Sequence, residues 1–235
     1  MSQTTGNTAG LLPLKLIAPD RWKNIVDMYR DQNASEYLPS TYSPEQVSGY
    51  EAQRTILADS LEDEDNAVIE FPIQATGNIL LLQTKEVSRG TAMLDPNDIY
   101  AEPVLDYGTF INPVDVFIGV ESIRFARVFH TTKALQSLSP REQAPGTNIT
   151  SDEDLLAVVR STSTSSAAHI SGTCSMMPRE LAGVVGPDLL VYGLTGVSVV
   201  DSSIMPLIPG AHICATVYAV AEKAADIIKK RHKTA

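Results

Sequence analysis

The chain has 235 residues, enough for one large domain or one and a half small ones. It is 43% hydrophobic and 20% charged, which is ordinary for a soluble globular protein with a substantial core. The formal net charge of -10 argues against a nucleic-acid partner, because nucleic-acid binding requires a basic face. No apolar run approaches the roughly 18 residues that suggest a membrane span, so no membrane partner is expected.

Two helices are predicted after an N-terminal loop over residues 1–19. Asp20 is the expected cap of the first helix, and apolar residues spaced three and four apart give this helix one apolar face. That face would consist of Trp22, Ile25, Val26 and Tyr29. Ser43 and Pro44 open the second helix, with serine as the cap and proline at the first position. The pattern carries the second helix to about Leu61.

The middle of the chain predicts strands and then two further helices. Residues 67–73 and 78–83 are short and rich in branched apolar residues, and residues 89–94 are a candidate third strand. Asn112 precedes a long helix with an apolar stripe. Ser151 and the three acids after it form a strong helix start, and this helix is predicted to run to about Ser161.

The last third of the chain is predicted to contain one strand and one helix. Residues 196–201 have the apolar pattern of a buried strand, and residues 212–230 have the pattern of a long helix. Cys174 and Cys214 are too few for a disulfide framework, and neither has a neighbour at metal-ligand spacing. Each lies among small and apolar residues, so buried free thiols and no metal site are expected.

Two of the four histidines, His169 and His212, are candidate acid/base residues. His169 precedes the small residues of 171–175, which would allow a ligand to approach the backbone closely. His212 lies at the start of the last helix, where amide groups lack intrahelical acceptors and the local field favours an anion. A histidine beside such a helix start suits proton transfer near neutral pH. These observations alone leave open that both are ordinary packed or surface histidines.

Sequence blocks in a fixed order carry a more specific signal. They surround His212 and are found at residues 169–177, 183–185, 191–193, 197–206 and 218–228. In order and spacing these blocks resemble the C-terminal end of the glucose–methanol–choline (GMC) oxidoreductases. Weaker similarity extends upstream, so practically the whole chain resembles the second half of such an enzyme. The fungal alcohol and sugar oxidase branch is the most similar, because histidine rather than asparagine stands at position 212.

The resemblance implies FAD-dependent oxidation of an alcohol group of a small-molecule substrate. By this resemblance, His169 matches the base that takes the hydroxyl proton as hydride leaves for flavin N5. His212 matches its partner, which hydrogen-bonds the substrate oxygen. Asp201 and Ser202 match strand-end positions that contact FAD, and His212 and Ile213 open the helix whose amides face the flavin pyrimidine. A helix N-terminus suits that place, because reduced flavin carries negative charge near N1 and O2.

One feature of the family is absent from this sequence. Family members begin with a Rossmann unit that holds the FAD pyrophosphate with a G-x-G-x-x-G motif, and no such motif occurs here. Three interpretations follow. The chain could work with a complementary chain that supplies the nucleotide-binding half. It could be a flavin-free binding protein or a histidine-based proton-transfer catalyst, such as an isomerase, cyclase or dehydratase. It could also be an inert remnant.

The predicted fold class is α+β, in two domains. Residues 1–165 are expected to form an antiparallel-sheet substrate-binding domain with helices. Residues 166–235 would supply the C-terminal strand and helix of an incomplete FAD-binding α/β domain. An open edge of the strand at 197–201 would invite pairing, so association with a complementary FAD-binding chain or with itself is expected. The N-terminus has neither a basic region nor an apolar region typical of a signal peptide, and an intracellular location is favoured.

Overall fold

The computed structural model of the protein describes residues 8–73, 79–166 and 168–232. Seven α-helices lie within these ranges: α1 (Leu14–Ile17), α2 (Trp22–Asp31), α3 (Pro44–Glu62), α4 (Pro113–His130), α5 (Lys133–Gln136), α6 (Asp152–Thr162) and α7 (Cys214–His232). The same ranges contain five strands: β1 (Thr8–Leu12), β2 (Ile69–Ile73), β3 (Leu82–Gln83), β4 (Thr91–Met93) and β5 (Val104–Asp106). Two short 3-10 helices cover Arg179–Leu181 and Ser202–Ile204. The mixture of helices with small antiparallel sheets confirms the predicted α+β class.

Three of the strands form one antiparallel sheet in the order β1-β2-β3. β1 pairs with β2 along its whole length, from Thr8 opposite Ile73 to Leu12 opposite Ile69. The prediction of a loop over residues 1–19 is therefore wrong for β1, and it is also wrong for α1. β1 owes its extended conformation to pairing with a strand about sixty residues further along the chain. The residues near β1 in the sequence do not indicate this pairing. The predicted strand at 78–83 is shorter than expected, and residue 78 lies outside the described residues.

β4 and β5 pair with each other and form a two-stranded antiparallel ribbon, here called the β4–β5 ribbon. Met93 lies opposite Val104 in its register. The segments in and between the two strands present large apolar side chains to solvent, and Tyr100 is 92% exposed. Other exposed members of this group are Met93, Leu94, Ile99, Val104 and Leu105. Such an apolar surface is unusual, because soluble monomeric proteins rarely expose large contiguous apolar patches.

Three helices begin where the sequence predicts, and each begins with a side-chain cap. At α3, the Gln46 amide donates to Ser43 Oγ (3.3 Å) and the Ser43 amide donates to Gln46 Oε1 (2.8 Å), which is a capping box. Asn112 Oδ1 accepts from the Val114 amide at α4, and Ser151 Oγ accepts from the Asp154 amide at α6. The predicted cap of α2 is wrong. Arg21 holds that position without a side-chain cap bond, because the Ala18 carbonyl already accepts the amides of Arg21 (3.0 Å) and Trp22 (2.8 Å).

The chain divides into two compact units, each assembled from separate segments. The first unit takes described residues within Met1–Gln32, Leu57–Ser88 and Phe110–Thr164, and the second takes those within Asn33–Ile56, Arg89–Thr109 and Ser165–Ala235. The predicted division into residues 1–165 and 166–235 differs from this grouping, because two earlier segments join the C-terminal part. That division concerns functional domains rather than compactness, and it stays a prediction.

In the first unit, α4 packs against α6 around four buried aliphatic residues. These are Val116, Val120, Leu155 and Val159. Gly119 of α4 allows the two helices to approach closely, because a Cβ at this position would lie 2.9 Å from Val159 Cγ1. α4 also buries Asp115, whose two carboxylate oxygens accept the backbone amides of Val87 (2.9 Å) and Ser88 (2.8 Å).

Four charged side chains form a network in the first unit. Arg21 contacts Asp152 at 2.9 Å and Glu121 at 3.5 Å. Arg124 bonds to Glu121 (2.6 Å) and also to Asp152. Hydrogen bonds from Arg21 and Arg124 lower the pKa of Asp152 below its usual value. The network therefore links α2, α4 and the first turn of α6.

In the second unit, α7 packs against the segment that precedes it. The buried cluster consists of Val185, Leu189, Ile204 and Ala224. Near the end of α7, Arg231 donates to Ser198 Oγ (3.0 Å) and to the Asp188 carbonyl. The described helices fall short of the combination of length and hydropathy that a bilayer crossing requires.

The prediction of a buried strand at 196–201 is wrong. In the described structure this segment makes one isolated antiparallel bridge, between Leu190 and Ser198, and Val197 is exposed. Its extended backbone lacks the neighbouring ladder that a buried strand requires. Val199 and Val200 are partly buried and pack against the α7 cluster, which accounts for the apolar pattern.

Candidate active site

His169 and His212, which are 43 positions apart, come together in the second unit. His212 Nδ1 lies 3.3 Å from His169 Nε2. The ring centroids are 5.0 Å apart and the ring planes are tilted by 48°. A hydrogen bond between two imidazole nitrogens requires a proton on one and a lone pair on the other. The two rings can therefore share one proton between these nitrogens.

Both imidazole rings of the pair are at least partly accessible to solvent. His169 is half-buried and His212 is exposed. An imidazole with access to solvent can exchange protons with water and with a bound substrate. This arrangement suits a reaction in which a small molecule loses or gains a proton.

The segment that carries His169 is held by backbone bonds to the 3-10 helix Ser202–Ile204. Three alternate amides of the segment donate to three consecutive carbonyls: Gly172 to Ser202 (3.3 Å), Cys174 to Ser203 (2.9 Å) and Met176 to Ile204 (2.8 Å). Gly172 has a φ of +86°, a conformation that glycine adopts without strain. A Cβ there would also lie 3.2 Å from the Met205 carbonyl oxygen. The small residues after His169 therefore allow this close approach.

Asp201 and Ser202, the predicted cofactor contacts, make bonds within the chain. Asp201 Oδ1 accepts the Ser203 amide (2.8 Å) and caps the 3-10 helix. Ser202 Oγ donates to the Ile170 carbonyl (2.9 Å). Neither local role was predicted from the sequence. An aspartate that follows an apolar run and precedes two serines is an N-cap signal, and it would have indicated the first.

His212 and Ile213 precede the first turn of α7. Ile213 is 7% exposed, so its side chain packs inside the protein and only its backbone remains for a cofactor contact. α7 has 19 residues, and the first amides of an α-helix have no intrahelical acceptor. The helix start beside His212 is therefore a place where negative charge is stabilised.

The two cysteines differ from each other in exposure. Cys174 is half-buried and Cys214 is exposed, so the expectation that both thiols are buried is wrong for Cys214. Cys214 is the first residue of α7. The buried side of this helix is marked by Ala224, and Cys214 is not buried with it. Within the described ranges, no three or more histidine, cysteine or acidic residues are grouped as metal ligands.

Comparison with known proteins supports the resemblance. The family described as "GMC oxidoreductase" matches residues 86–221. Dehydrogenase xptC of Emericella nidulans is 33% identical over 211 residues, which cover 90% of this chain and 34% of that protein. A pyranose dehydrogenase of Agaricus campestris is 35% identical over 172 residues, which cover 73% of this chain and 27% of that protein. The chain thus spans about a third or less of the length of these relatives.

Solved structures show the same fold. An FAD-dependent oxidoreductase from Chaetomium thermophilum superposes with a TM-score of 0.93 and 33% identity, over 97% of this chain and 39% of that one. A fungal aryl-alcohol oxidase superposes with a TM-score of 0.89 and 40% identity, over 96% of this chain and 38% of that one. These similar proteins are dehydrogenases and oxidases by name, so the flavin-free interpretation is not favoured. The chain belongs to the GMC oxidoreductase family.

Proposed function

We propose that this chain is the substrate-binding and proton-handling part of an FAD-dependent oxidoreductase that oxidises an alcohol group of a small molecule. The observation that carries the proposal is the 3.3 Å approach of His212 Nδ1 to His169 Nε2. An alcohol that gives up hydride must also lose its hydroxyl proton, and imidazole accepts protons near neutral pH. The names of similar proteins suggest aryl alcohols and pyranose sugars as the first substrates to try.

His169 and His212 have complementary roles in this proposal. His169, the half-buried ring, accepts the hydroxyl proton of the substrate. His212, the exposed ring, donates a hydrogen bond to the substrate oxygen. When the facing nitrogens share one proton, a proton taken up by one ring changes which nitrogen of the other ring can donate. The pair can thus distribute the charge that develops as the proton leaves the alcohol.

The residues of this chain fit one end of FAD. Flavin, when bound, supplies the hydride acceptor. The start of α7 suits the pyrimidine edge of the flavin ring, because its amides stabilise negative charge. Asp201 is exposed, and its second carboxylate oxygen can accept a hydrogen bond from a cofactor hydroxyl.

The residues do not fit the other end of FAD. The sequence contains no G-x-G-x-x-G motif to hold the pyrophosphate. In our proposal a complementary FAD-binding chain supplies that part. Self-association is the alternative, and sedimentation of the chain with and without such a partner distinguishes the two.

A chimaera tests the proposed function directly. This chain would replace the matching C-terminal part of the fungal aryl-alcohol oxidase, to which it is 40% identical. We expect the chimaera to bind FAD and to oxidise aryl alcohols, measured as peroxide formed. His169→Ala should reduce kcat by roughly a hundredfold to ten-thousandfold, the usual effect of losing a general base.

Controls make the result specific to the pair. His130→Ala removes a histidine whose Nδ1 contacts the Ala126 carbonyl in α4, and it should leave kcat unchanged. A yellow, folded chimaera that oxidised no alcohol would contradict the proposed function. Full activity in both His169→Ala and His212→Ala would contradict the assigned roles.

A further inference from the structure

The residues next to His169 in the chain are not part of a helix or a strand. Residues 163–166 and 168–178 lie outside the helices and strands of the described structure. Ala168, immediately before His169, has a φ of +63°, a left-handed conformation that is unfavourable for a residue with a Cβ. Such a conformation persists only where the surrounding structure enforces it. Other contacts must therefore fix the direction in which the His169 side chain points.

Two serine hydroxyls supply such contacts, one on each side of His169. The His169 amide donates to Ser166 Oγ at 3.2 Å. On the other side, Ser202 Oγ donates to the Ile170 carbonyl at 2.9 Å. One hydroxyl accepts and the other donates, so the backbone is held just before and just after the position that carries the imidazole. We call Ser166 and Ser202 the serine clamp.

Ser202 is itself held firmly. It opens the 3-10 helix that Asp201 caps, and its carbonyl accepts the Gly172 amide at 3.3 Å. Its hydroxyl and its carbonyl therefore both bond to the segment that follows His169. Because Ser202 is fixed in this way, its two hydrogen bonds also fix the backbone at Ile170 and Gly172.

The contact between the two imidazoles leaves little tolerance for movement. At 3.3 Å, the separation of His169 Nε2 from His212 Nδ1 is already long for a hydrogen bond between nitrogens. A further displacement of a few tenths of an ångström would break it. A loss of backbone support at His169 should thus be visible first at the histidine pair.

We propose that Ser166 and Ser202 are positioning residues that hold His169 so that its Nε2 faces Nδ1 of His212. The importance of the clamp for catalysis rests on the proposed function, but the geometry is testable on this chain without flavin. The resemblance to GMC enzymes implies a cofactor contact for Ser202, and the clamp gives its hydroxyl a different partner, the Ile170 carbonyl.

Nuclear magnetic resonance on the histidine-labelled chain tests the clamp. In the wild-type chain, ring protons of His169 and His212 should give a nuclear Overhauser cross-peak, because the ring centroids are 5.0 Å apart. We expect Ser202→Ala and Ser166→Ala each to weaken that cross-peak by about twofold or more, as each removes one neutral hydrogen bond. Ser202→Thr keeps the hydroxyl and should restore the cross-peak.

Ser161→Ala is the matched control. Its hydroxyl also donates to a backbone carbonyl, that of Val158 (3.2 Å), but in α6 of the first unit. It should leave the cross-peak unchanged. Melting temperatures of all variants separate a loss of stability from a loss of geometry.

The outcomes are decisive in both directions. If Ser202→Ala lowers the melting temperature and leaves the cross-peak intact, Ser202 has a structural role only and the proposal is overturned. Absence of the cross-peak from the folded wild-type chain would also overturn it. Should Ser202→Ala fail to fold, Ser166→Ala decides alone, because an undiminished cross-peak there refutes the clamp. An inactive chimaera with an intact cross-peak would count against the proposed function and not against the clamp.

Discussion

Asp115→Asn isolates the contribution of a buried carboxylate to the first unit. Asp115 is 1% exposed, and its two oxygens accept the Val87 amide at 2.9 Å and the Ser88 amide at 2.8 Å. Asparagine has nearly the same shape but replaces one oxygen by an NH2 group, which would face a backbone donor. Loss of one charge-assisted hydrogen bond costs about 1.5–3 kcal/mol, and a buried donor without an acceptor costs about 1–3 kcal/mol. We expect a total loss of about 2.5–6 kcal/mol, a large part of the stability of an ordinary domain.

Urea denaturation followed by circular dichroism at neutral pH measures this loss. The midpoint should fall for Asp115→Asn while the slope stays the same, because the surface exposed on unfolding does not change. Asp226→Asn makes the same chemical change at an exposed position of α7 and should alter the free energy of unfolding by less than about 0.5 kcal/mol. A loss below about 1 kcal/mol for Asp115→Asn would refute the reasoning, since it would mean that the two amides find other acceptors.

Two further perturbations probe packing and charge in the first unit. Gly119→Ala should reduce stability by about 1–3 kcal/mol, because its Cβ would lie 2.9 Å from Val159 Cγ1. Adding Val159→Ala should cancel most of that clash in a double-mutant cycle, and strict additivity would contradict the assigned contact. Hydrogen bonds from Arg21 and Arg124 lower the pKa of Asp152, so its stabilising effect should be present near neutral pH. That effect should be lost as the pH falls below about 4 and through the lowered folded-state pKa. The difference in melting temperature between wild type and Asp152→Asn should therefore shrink from about pH 5 to pH 2, and a constant difference would argue against the ion pairs.

The helices were predictable because their signals are local. Ser43, Asn112 and Ser151 each cap a helix through a bond to an amide two or three residues further along the chain. A pattern within a few residues contains all the information for such a contact. The cap of α2 was wrongly predicted because a backbone carbonyl of the preceding turn, not a side chain, accepts the first amides. Every residue has a backbone carbonyl, so the sequence gives no signal for such a contact.

The strands were less predictable because their pairing is not local. β1 exists through its partner β2, whereas in the described structure the apolar run at 197–201 makes one isolated bridge, between Leu190 and Ser198, and no continuous ladder. Side-chain pattern can show that a segment is apolar. It cannot show whether a neighbouring strand is present to complete the ladder.

At the candidate site, the order of the sequence blocks identified His169 and His212, and the structure brings them together. The serine clamp was not predictable, since Ser166 and Ser202 are 36 positions apart and converge on His169 only after folding. Serine is common and polar, so neither residue attracts attention in the sequence. Candidate acid/base residues are therefore easier to propose from the sequence than the contacts that orient them.

The β4–β5 ribbon has a practical consequence for how this protein is judged in solution. Dyes such as ANS become fluorescent on exposed apolar surface, and their binding is commonly taken as a sign of a molten globule. A ribbon that presents Met93, Leu94 and Tyr100 to water should bind such a dye in the fully folded chain. ANS fluorescence is therefore a poor criterion of misfolding for this protein. Near-ultraviolet circular dichroism, which reports packed aromatic groups such as the Phe71–Phe125 contact, is the better one.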